Sequence, residues 1–558
     1  MQTFQTILKS HYEKRPDEVA IYLQHAGKED QPITVRDLLS GAVRAQRQLE
    51  KEDVQAGEVV LLIFQHGRDL IETYFGAILH GAIPSIMPYL TEKLQPERYR
   101  KDLAALIEVT QPDAIFTYVE FEPEVRAALK EGDSVRAVMV TDDLGSGGEP
   151  IFTVNRQPED IVLLQHSSGT TGLQKGVALS HQAVLNQITT YADVLHIDSQ
   201  KDVLVSWLPL YHDMGLIAGF LMPILYGLPL VLMSPFDWVR APYRLMQAVS
   251  DYKGTLVWLP NFAYNFCATK IRDRHMEGVD LSSWRAVTNC SEPMRHDSQQ
   301  MFLEAFKPYG FPESALATSY AMAENTFAVT QGGIDGPVNI DPVDRDSLQI
   351  DRVARPAVDG KPAIDMVSAG KPIPNTEVKV IDPQGNPLPD RHIGEIALKS
   401  DCMLTEYYHR PQTTEKAFLD GWYLTGDFGY MLDGEVYITG RKKDLIIVGG
   451  KNIYPQDLER IANTVPGVHP GRAVAFGIFS KKMGTEQVVI IAEVDSNDED
   501  ERRKIANNIR KTVTQESAVA LRHVSVVDEG WIIKTSSGKT ARLANRDKFI
   551  EESGFVVN

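Results

Sequence analysis

Short apolar runs recur through the first third of the chain, each flanked by turn signals or an amphipathic stretch. Val59–Phe64, Ile83–Met87, Ala114–Tyr118, Ala137–Thr141 and Ile161–Gln165 have the composition of buried strands. Strands alternating with helical stretches predict α/β layers with mostly parallel sheets. From Gly215 to Phe236 the chain carries no charge for 22 residues. Pro223, Pro229 and Pro235 break this run, as do Gly215, Gly219 and Gly227. A membrane-spanning helix needs about 20 unbroken residues, so the pattern predicts a short buried helix, a turn at Tyr226-Gly227 and a buried strand Leu228–Met233.

The pattern changes after Thr330. Gln331–Met366 holds four Pro, four Gly and seven Asp and no aromatic residue, which predicts a loop-rich excursion without regular elements. Beyond it, Glu377–Ile381, Glu395–Lys399 and Glu435–Thr439 have the alternation of half-buried strands, a small β-rich subdomain. After Gly440-Arg-Lys-Lys-Asp follow a strand, a helix from Pro455, strands Ala473–Phe476 and Val488–Val494, a charged helix from Asp498 and a final strand–loop–helix. The main boundary is expected near residue 441, separating 1–440 from a small α+β unit, 441–558.

Composition narrows the function. The chain has 558 residues, 43% of them hydrophobic and 24% charged, which suits packed cores. Its formal net charge of −18 makes it a poor candidate for sequence-independent nucleic-acid binding, which requires a basic footprint, while leaving room for a local basic patch. The first residues, Met1-Gln-Thr-Phe-Gln-Thr-Ile-Leu-Lys-Ser, lack the basic and apolar regions of a signal peptide. With no spanning helix and Cys267, Cys290 and Cys402 far apart, a reducing cytoplasm is the expected location.

Four segments carry chemistry. Ser167-Ser-Gly-Thr-Thr-Gly-Leu-Gln-Lys175-Gly follows a buried strand. Small hydroxyl residues and glycines let backbone approach a phosphate chain, and Lys175 adds a point charge. It does not have the Gly-x-x-x-x-Gly-Lys-Ser/Thr spacing of the nucleotide triphosphatase loop. Tyr423-Leu-Thr-Gly-Asp427 ends in a carboxylate that could accept from a ribose diol, although Gly-Asp turns are common. Gly440-Arg441-Lys442-Lys443-Asp444 presents an arginine suited to phosphate and ribose oxygens, or a plain basic turn. Lys534-Thr-Ser-Ser-Gly-Lys539 places a long cation on a Gly/Ser loop.

In this order and spacing, and with Trp207-Leu-Pro-Leu-Tyr-His-Asp-Met-Gly-Leu216, Tyr320-Ala-Met-Ala-Glu324 and Gly394-Glu-Ile396, the segments resemble the adenylate-forming superfamily. That superfamily joins acyl-CoA synthetases, nonribosomal adenylation domains and luciferases. The resemblance runs from about Phe4 to the C-terminus. Within it the chain is most similar to fatty acyl-AMP ligases, because Trp207–Leu216 is close to their form. The long gap between Glu324 and Gly370-Lys-Pro-Ile-Pro374 also falls where those ligases carry their insertion (here 331–366).

The resemblance implies a carboxylate attacking the α-phosphate of ATP to give acyl-AMP and pyrophosphate. It assigns Ser167, Ser168, Gly169, Thr170, Thr171 and Lys175 to the phosphates. Tyr320, Ala323, Asn289 and Ser291 fall to the adenine, Glu324 to Mg²⁺, and Asp427 and Arg441 to ribose. Lys539 bridges carboxylate and α-phosphate, and His212 lines the acyl entrance. Ala321 stands where the family usually has Gly. Lys443 matches a hinge about which 441–558 swings, and Val448-Gly449-Gly450-Lys451 suits a phosphopantetheine path. The implied partners are a fatty acid and an acyl carrier protein, or a carrier domain of a polyketide or peptide synthase. The insertion would restrain the swing through apolar anchors Ile334, Val338, Leu348 and Ile350. An acyl- or aryl-CoA synthetase with a long loop is the alternative. A non-catalytic scaffold fits less well, because Lys539, Glu324, Asp427 and Arg441 are all present.

Overall fold

A computed structural model describes residues 2–89, 96–152, 155–167, 175–448, 451–480, 485–517, 519–521, 523–535 and 538–553. The first half is built on two mostly parallel sheets. One has the order Ile83–Met87, Val59–Ile63, Ala114–Thr117, Ala137–Val140, with every pairing parallel. The other runs Leu316–Thr318, Ala286–Asn289, Leu256–Leu259, Leu204–Ser206, Leu230–Met233, Val19–Gln24, Gln31–Thr34, and turns antiparallel at its last pair. Val59–Ile63 and Ile83–Met87 are buried at every position, which is why they are apolar throughout and not alternating.

The uncharged run contains no spanning segment. Met214–Leu221 is a wide helix of π type, wholly buried, and continues as an α-helix Met222–Tyr226. It stops at Gly227, whose φ of +94° is easy for glycine; a Cβ there would also meet the Arg15 guanidinium at 2.2 Å. The strand Leu230–Met233 follows. Among the described residues no helix is long and apolar enough to cross a membrane.

The β-rich part is an antiparallel sheet of Thr376–Ile381, Gly394–Ser400, Trp422–Leu432, Phe418–Leu419 and Glu435–Arg441. Its register sets Asp427 opposite Arg441. Beyond it, Val468–Ser480, Thr485–Val494 and His523–Val527 form a second small sheet, packed by helices Pro455–Asn463, Glu499–Ser517 and Arg542–Ser553. A separate apolar cluster, including Ile446, Leu458, Ile490 and Ile509, fills this region.

Residues 331–366 correct the loop expectation. Ile340–Asp344 pairs antiparallel with Ala363–Val367, and a helical turn Ser347–Asp351 lies between them. The pattern is disguised because Asp341 occupies an inward position. It is 7% exposed and accepts from the Tyr430 hydroxyl at 2.7 Å and from Arg391 Nη1 at 3.1 Å. Such partners are what allow a charge to be buried. Of the expected anchors, Leu348 is buried with Val343, Ala354, Ile393, Phe428, Tyr430 and Tyr437, and Ile334 packs on the main core. Val338 is half-buried. Ile350, 47% exposed, is the least covered of the four.

Candidate active site

In open α/β sheets ligands usually bind beyond the carboxyl ends of the parallel strands, and several of the expected residues lie there. Asn289 ends the strand Ala286–Asn289, and Tyr320 lies two residues past Leu316–Thr318. Trp207 follows Leu204–Ser206, and Asn261 and Phe262 lie just past Leu256–Leu259. The chain leaves the Ala286–Asn289 strand through Ser291, a non-glycine residue at φ +68°. Positive φ at such a residue is an uncommon, strained state that clusters at functional sites.

Tyr320 is 9% exposed and donates its hydroxyl to Asp427 Oδ2 at 2.6 Å. Arg441 Nε approaches Asp427 Oδ1 at 3.1 Å. Burial, and then Asp427, push the Tyr320 phenol well above its ordinary value, so it remains a donor. Asp427 raises the Arg441 guanidinium further, against the opposing effect of burial. This sets a buried carboxylate between a fixed phenol and a permanent cation. Asn289 donates through Nδ2 to Asn261 Oδ1 at 3.0 Å. Its Oδ1 is buried with no partner among the described residues, an acceptor that an exocyclic amino group of a nucleobase would satisfy. Ala323 is buried at the start of the turn Ala323–Asn325, which also carries Glu324.

Glu324 Oε1 accepts from the Tyr407 hydroxyl at 2.9 Å, and that hydroxyl also meets Tyr423 Oη at 2.9 Å. Lys175 Nζ sits 4.5 Å from the Tyr407 ring centroid. Burial and the nearby Lys443 lower the Lys175 ammonium from its ordinary value, while Glu324 opposes them. Lys175, Lys443 and Glu324 therefore share one neighbourhood. Of these three groups only the Glu324 carboxylate could ligate a hard cation, while the two ammoniums could offset phosphate charge. Ser168, Gly169, Thr170 and Thr171 lie outside the described residues, as do the side chain of Ser167 and residues 449–450.

Lys539 arrives from the far end of the chain. Its loop is closed by Thr535 N–H donating to the Lys539 carbonyl at 2.7 Å and by Lys539 N–H donating to Thr535 Oγ1 at 3.1 Å. Burial lowers its ammonium below the ordinary lysine value; Asp213 opposes that, Arg441 adds to it, and Glu292 opposes it again. Lys539 thus lies within electrostatic range of Asp213, Arg441 and Glu292. His212 Nδ1 lies 2.6 Å from Asp213 Oδ1, and Met214 N–H donates to the same oxygen at 2.8 Å. Burial raises the Asp213 carboxyl, but His212 and Lys539 outweigh it and hold the group below the usual range.

Residue patterns did not single out Tyr407, Glu292 or Trp238. Glu292 accepts from Phe262 N–H at 2.9 Å, which joins the Lys539 neighbourhood to an aromatic wall. In that wall Trp207 stacks on Trp238, ring centroids 3.5 Å apart, and Phe262 stands edge-on to both. Ala321 is half-buried against the main core. Strand pairing brings Tyr407 to Lys175: Glu406–Tyr407 pairs with Ala178 and Val177 in the strand that begins at Lys175.

The family model for AMP-binding enzymes matches residues 8–408. The medium-chain fatty acid–acyl carrier protein ligase JamA of Moorena producens is 29% identical over 97% of this chain and 94% of its own. A protein of Caulobacter vibrioides, provisionally named an acyl-CoA synthetase, is 30% identical over 90% of this chain and 87% of its own. A solved structure from work on fatty acyl-adenylate ligases of E. coli and L. pneumophila superposes with a TM-score of 0.91 at 26% identity, covering 99% of both chains.

Proposed function

The chain belongs to the AMP-binding enzyme family and is an ATP-dependent, AMP-forming carboxylate ligase; from that premise we propose that it activates a fatty acid as the acyl-adenylate and passes the acyl group to the phosphopantetheine thiol of an acyl carrier protein, free-standing or within a polyketide or peptide synthase. The observation that carries this reading is the Asp427 carboxylate held between Tyr320 at 2.6 Å and Arg441 at 3.1 Å, with Lys539 within electrostatic range of Arg441, Asp213 and Glu292.

The chemical difficulty is an anion meeting a polyanion. A carboxylate oxygen bonds to the α-phosphorus, the bond from that phosphorus to the bridging oxygen breaks, and pyrophosphate leaves with the electron pair. Positioning and charge neutralisation are the main means available. In this reading Asp427 accepts from the ribose hydroxyls and Arg441 donates to ribose and phosphate oxygens. Tyr320 packs against the adenine, bordered by Asn289, Ser291 and Ala323. Lys175, with Ser167, Ser168, Gly169, Thr170 and Thr171, lines the phosphates. Glu324 would hold Mg²⁺, which would neutralise phosphate charge. Lys539 spans the carboxylate and the α-phosphate as charge builds, while His212, oriented by Asp213, lines the acyl entrance. Phe262, 42% exposed and backed by the buried Trp207–Trp238 stack, would offer the acyl chain an aromatic surface.

We assign nucleotide and acyl binding to 1–440, and to 441–558 a unit that turns about Lys443 to present the adenylate to the thiol. The choice of carrier protein over free CoA rests on the insertion, which touches that unit at two points. Asn452 Nδ2 donates to the Gln349 carbonyl at 3.3 Å, and Arg345 Nη1 donates to the Glu516 carbonyl. An acyl-CoA synthetase is the second reading, favoured by the Caulobacter relative. Three buried free cysteines accord with a cytoplasmic setting.

Lys539→Ala tests the mechanism: ATP–pyrophosphate exchange should collapse while the fold persists. Adenylate formation at the normal rate would refute the role given to Lys539.

A further inference from the structure

Two ion-pair contacts connect the adenine side of the crevice to the loop that carries Lys539. The first begins at Asn261, whose Oδ1 accepts from Asn289 Nδ2 and from Arg295 N–H, each at 3.0 Å. The Arg295 backbone is therefore tied to the end of the Ala286–Asn289 strand. Its side chain points away, donating through Nη2 to Asp457 Oδ1 at 2.7 Å. Asp457 lies in the first turn of the helix Pro455–Asn463, inside the C-terminal unit. The Arg295 and Asp457 side chains are only 23% and 21% exposed, so the pair is better shielded than an ordinary surface pair.

The second contact leaves the same helix. Glu459, 8% exposed, accepts from Arg542 Nε and Nη2, both at 2.7 Å, and from Ala475 N–H at 3.0 Å. Arg542 also donates through Nη1 to Asp444 Oδ2 at 2.6 Å. It follows Lys539 by three positions and opens the last helix. Asn545 closes the loop behind it, donating to the Ile533 carbonyl at 2.8 Å. The helix Pro455–Asn463 thus holds the Lys539 loop through Glu459 and grips the nucleotide-binding part through Asp457.

We propose that Arg295 is a positioning residue for Lys539: its ion pair with Asp457 holds the C-terminal unit in the pose that presents Lys539 to the reacting groups. The proposal rests on the role given above to Lys539. It also explains how the pose is released. Asp457 sits in the first helical turn, where the helix dipole favours a carboxylate, so the pair parts without stranding an unstable charge. The Glu459–Arg542–Asp444 contacts lie within 441–558 and travel with the unit.

The test is steady-state adenylate formation, followed by pyrophosphate release, in Arg295→Ala, in Asp457→Asn, in the single reversals Arg295→Asp and Asp457→Arg, and in the double variant that combines those two reversals. Arg295→Ala keeps the backbone N–H on which Asn261 depends. Losing one hydrogen bond to a charged group should lower kcat about tenfold, with KM for ATP moving by less than about twofold. The reversed pair should recover part of the loss, though not all, because arginine in a first helical turn opposes the dipole. A merely structural role would not produce recovery on reversal. Wild-type kcat in Arg295→Ala would overturn the proposal, as would a double variant no faster than the product of its singles. If Arg295→Ala melts early, Asp457→Asn removes the same pair from the other side. Lys539→Ala is assayed in parallel: normal turnover there would show that the Lys539 reading had failed, a result distinct from failure of the Arg295 link.

Discussion

Replacing Asp427 by alanine separates stability from nucleotide binding. In the folded chain the carboxylate accepts from Tyr320 at 2.6 Å and from Arg441 at 3.1 Å. The two partners respond differently to its loss. The Tyr320 residue is 9% exposed, so its hydroxyl loses its acceptor where little water can replace it, a cost of about 1–3 kcal/mol. The Arg441 side chain is 53% exposed and is rehydrated, so its share is about 0–1 kcal/mol. Unfolding in urea should therefore show a loss of about 1–4 kcal/mol, set mainly by Tyr320. The effect on ATP should be larger, because two ribose hydroxyls would lose a charged acceptor. At about 1.5–3 kcal/mol for each such bond, kcat/KM for ATP should fall at least a hundredfold. Tyr320→Phe is the control. It removes the same phenol contact but leaves the carboxylate with Arg441, and kcat/KM should fall about tenfold or less. ATP–pyrophosphate exchange at varied ATP reads both variants. Asp427→Ala with kcat/KM for ATP within about threefold of the parent would refute the ribose assignment.

Three other predictions test separate parts of the account. Glu324→Gln keeps an acceptor for Tyr407 but removes the charge, so the Mg²⁺ needed for half-maximal adenylate formation should rise about tenfold or more; an unchanged Mg²⁺ titration would move the cation elsewhere. Leu348→Ala should destabilise the insertion by about 2–5 kcal/mol, read as early proteolysis within 331–366, whereas an unchanged digestion pattern would show that the side chain is not core. Burial holds His166 and His181 down to about 4 from an ordinary 6.5, with Arg156 adding to the effect at His181. Both folded values are depressed, so their contribution is present above pH 6.5 and is lost as pH falls toward 4. His66 is held at about 4 in the same way, so unfolding near pH 5 should take up about three protons through these histidines; a flat stability profile from pH 7 to 4.5 would contradict this.

Much of the fold was legible because both parallel sheets are buried and their strands are near-continuous apolar runs; Val59–Ile63 and Ile83–Met87 stand almost where the pattern put them. The insertion hairpin was not legible. Asp341 occupies an inward strand position that only Arg391 and Tyr430, far away in sequence, make tolerable. The candidate site divides the same way. Segment order pointed to Tyr320, Glu324, Asp427, Arg441 and Lys539 as residue types. Their meeting depends on tertiary contacts that no local pattern encodes: Lys539 within electrostatic range of Asp213, Tyr407 bridging Glu324 and Tyr423, and Trp238 stacking on Trp207. Arg542 was hidden for a similar reason. Beside Lys539 it has the form of another basic loop residue, and only its 2.6–2.7 Å contacts to Asp444 and Glu459 distinguish it.

The central claim is that the chain makes a fatty acyl-adenylate meant for a carrier protein and not for free CoA. The most direct measurement is product analysis by mass spectrometry. Purified protein would receive ATP, Mg²⁺ and short- to long-chain fatty acids, with CoA, with a phosphopantetheinylated acyl carrier protein, and with neither. Acyl-AMP should accumulate and persist in the presence of CoA, and the acyl group should appear on the carrier protein. Rapid conversion to acyl-CoA would contradict the claim, while leaving the adenylation step itself in place.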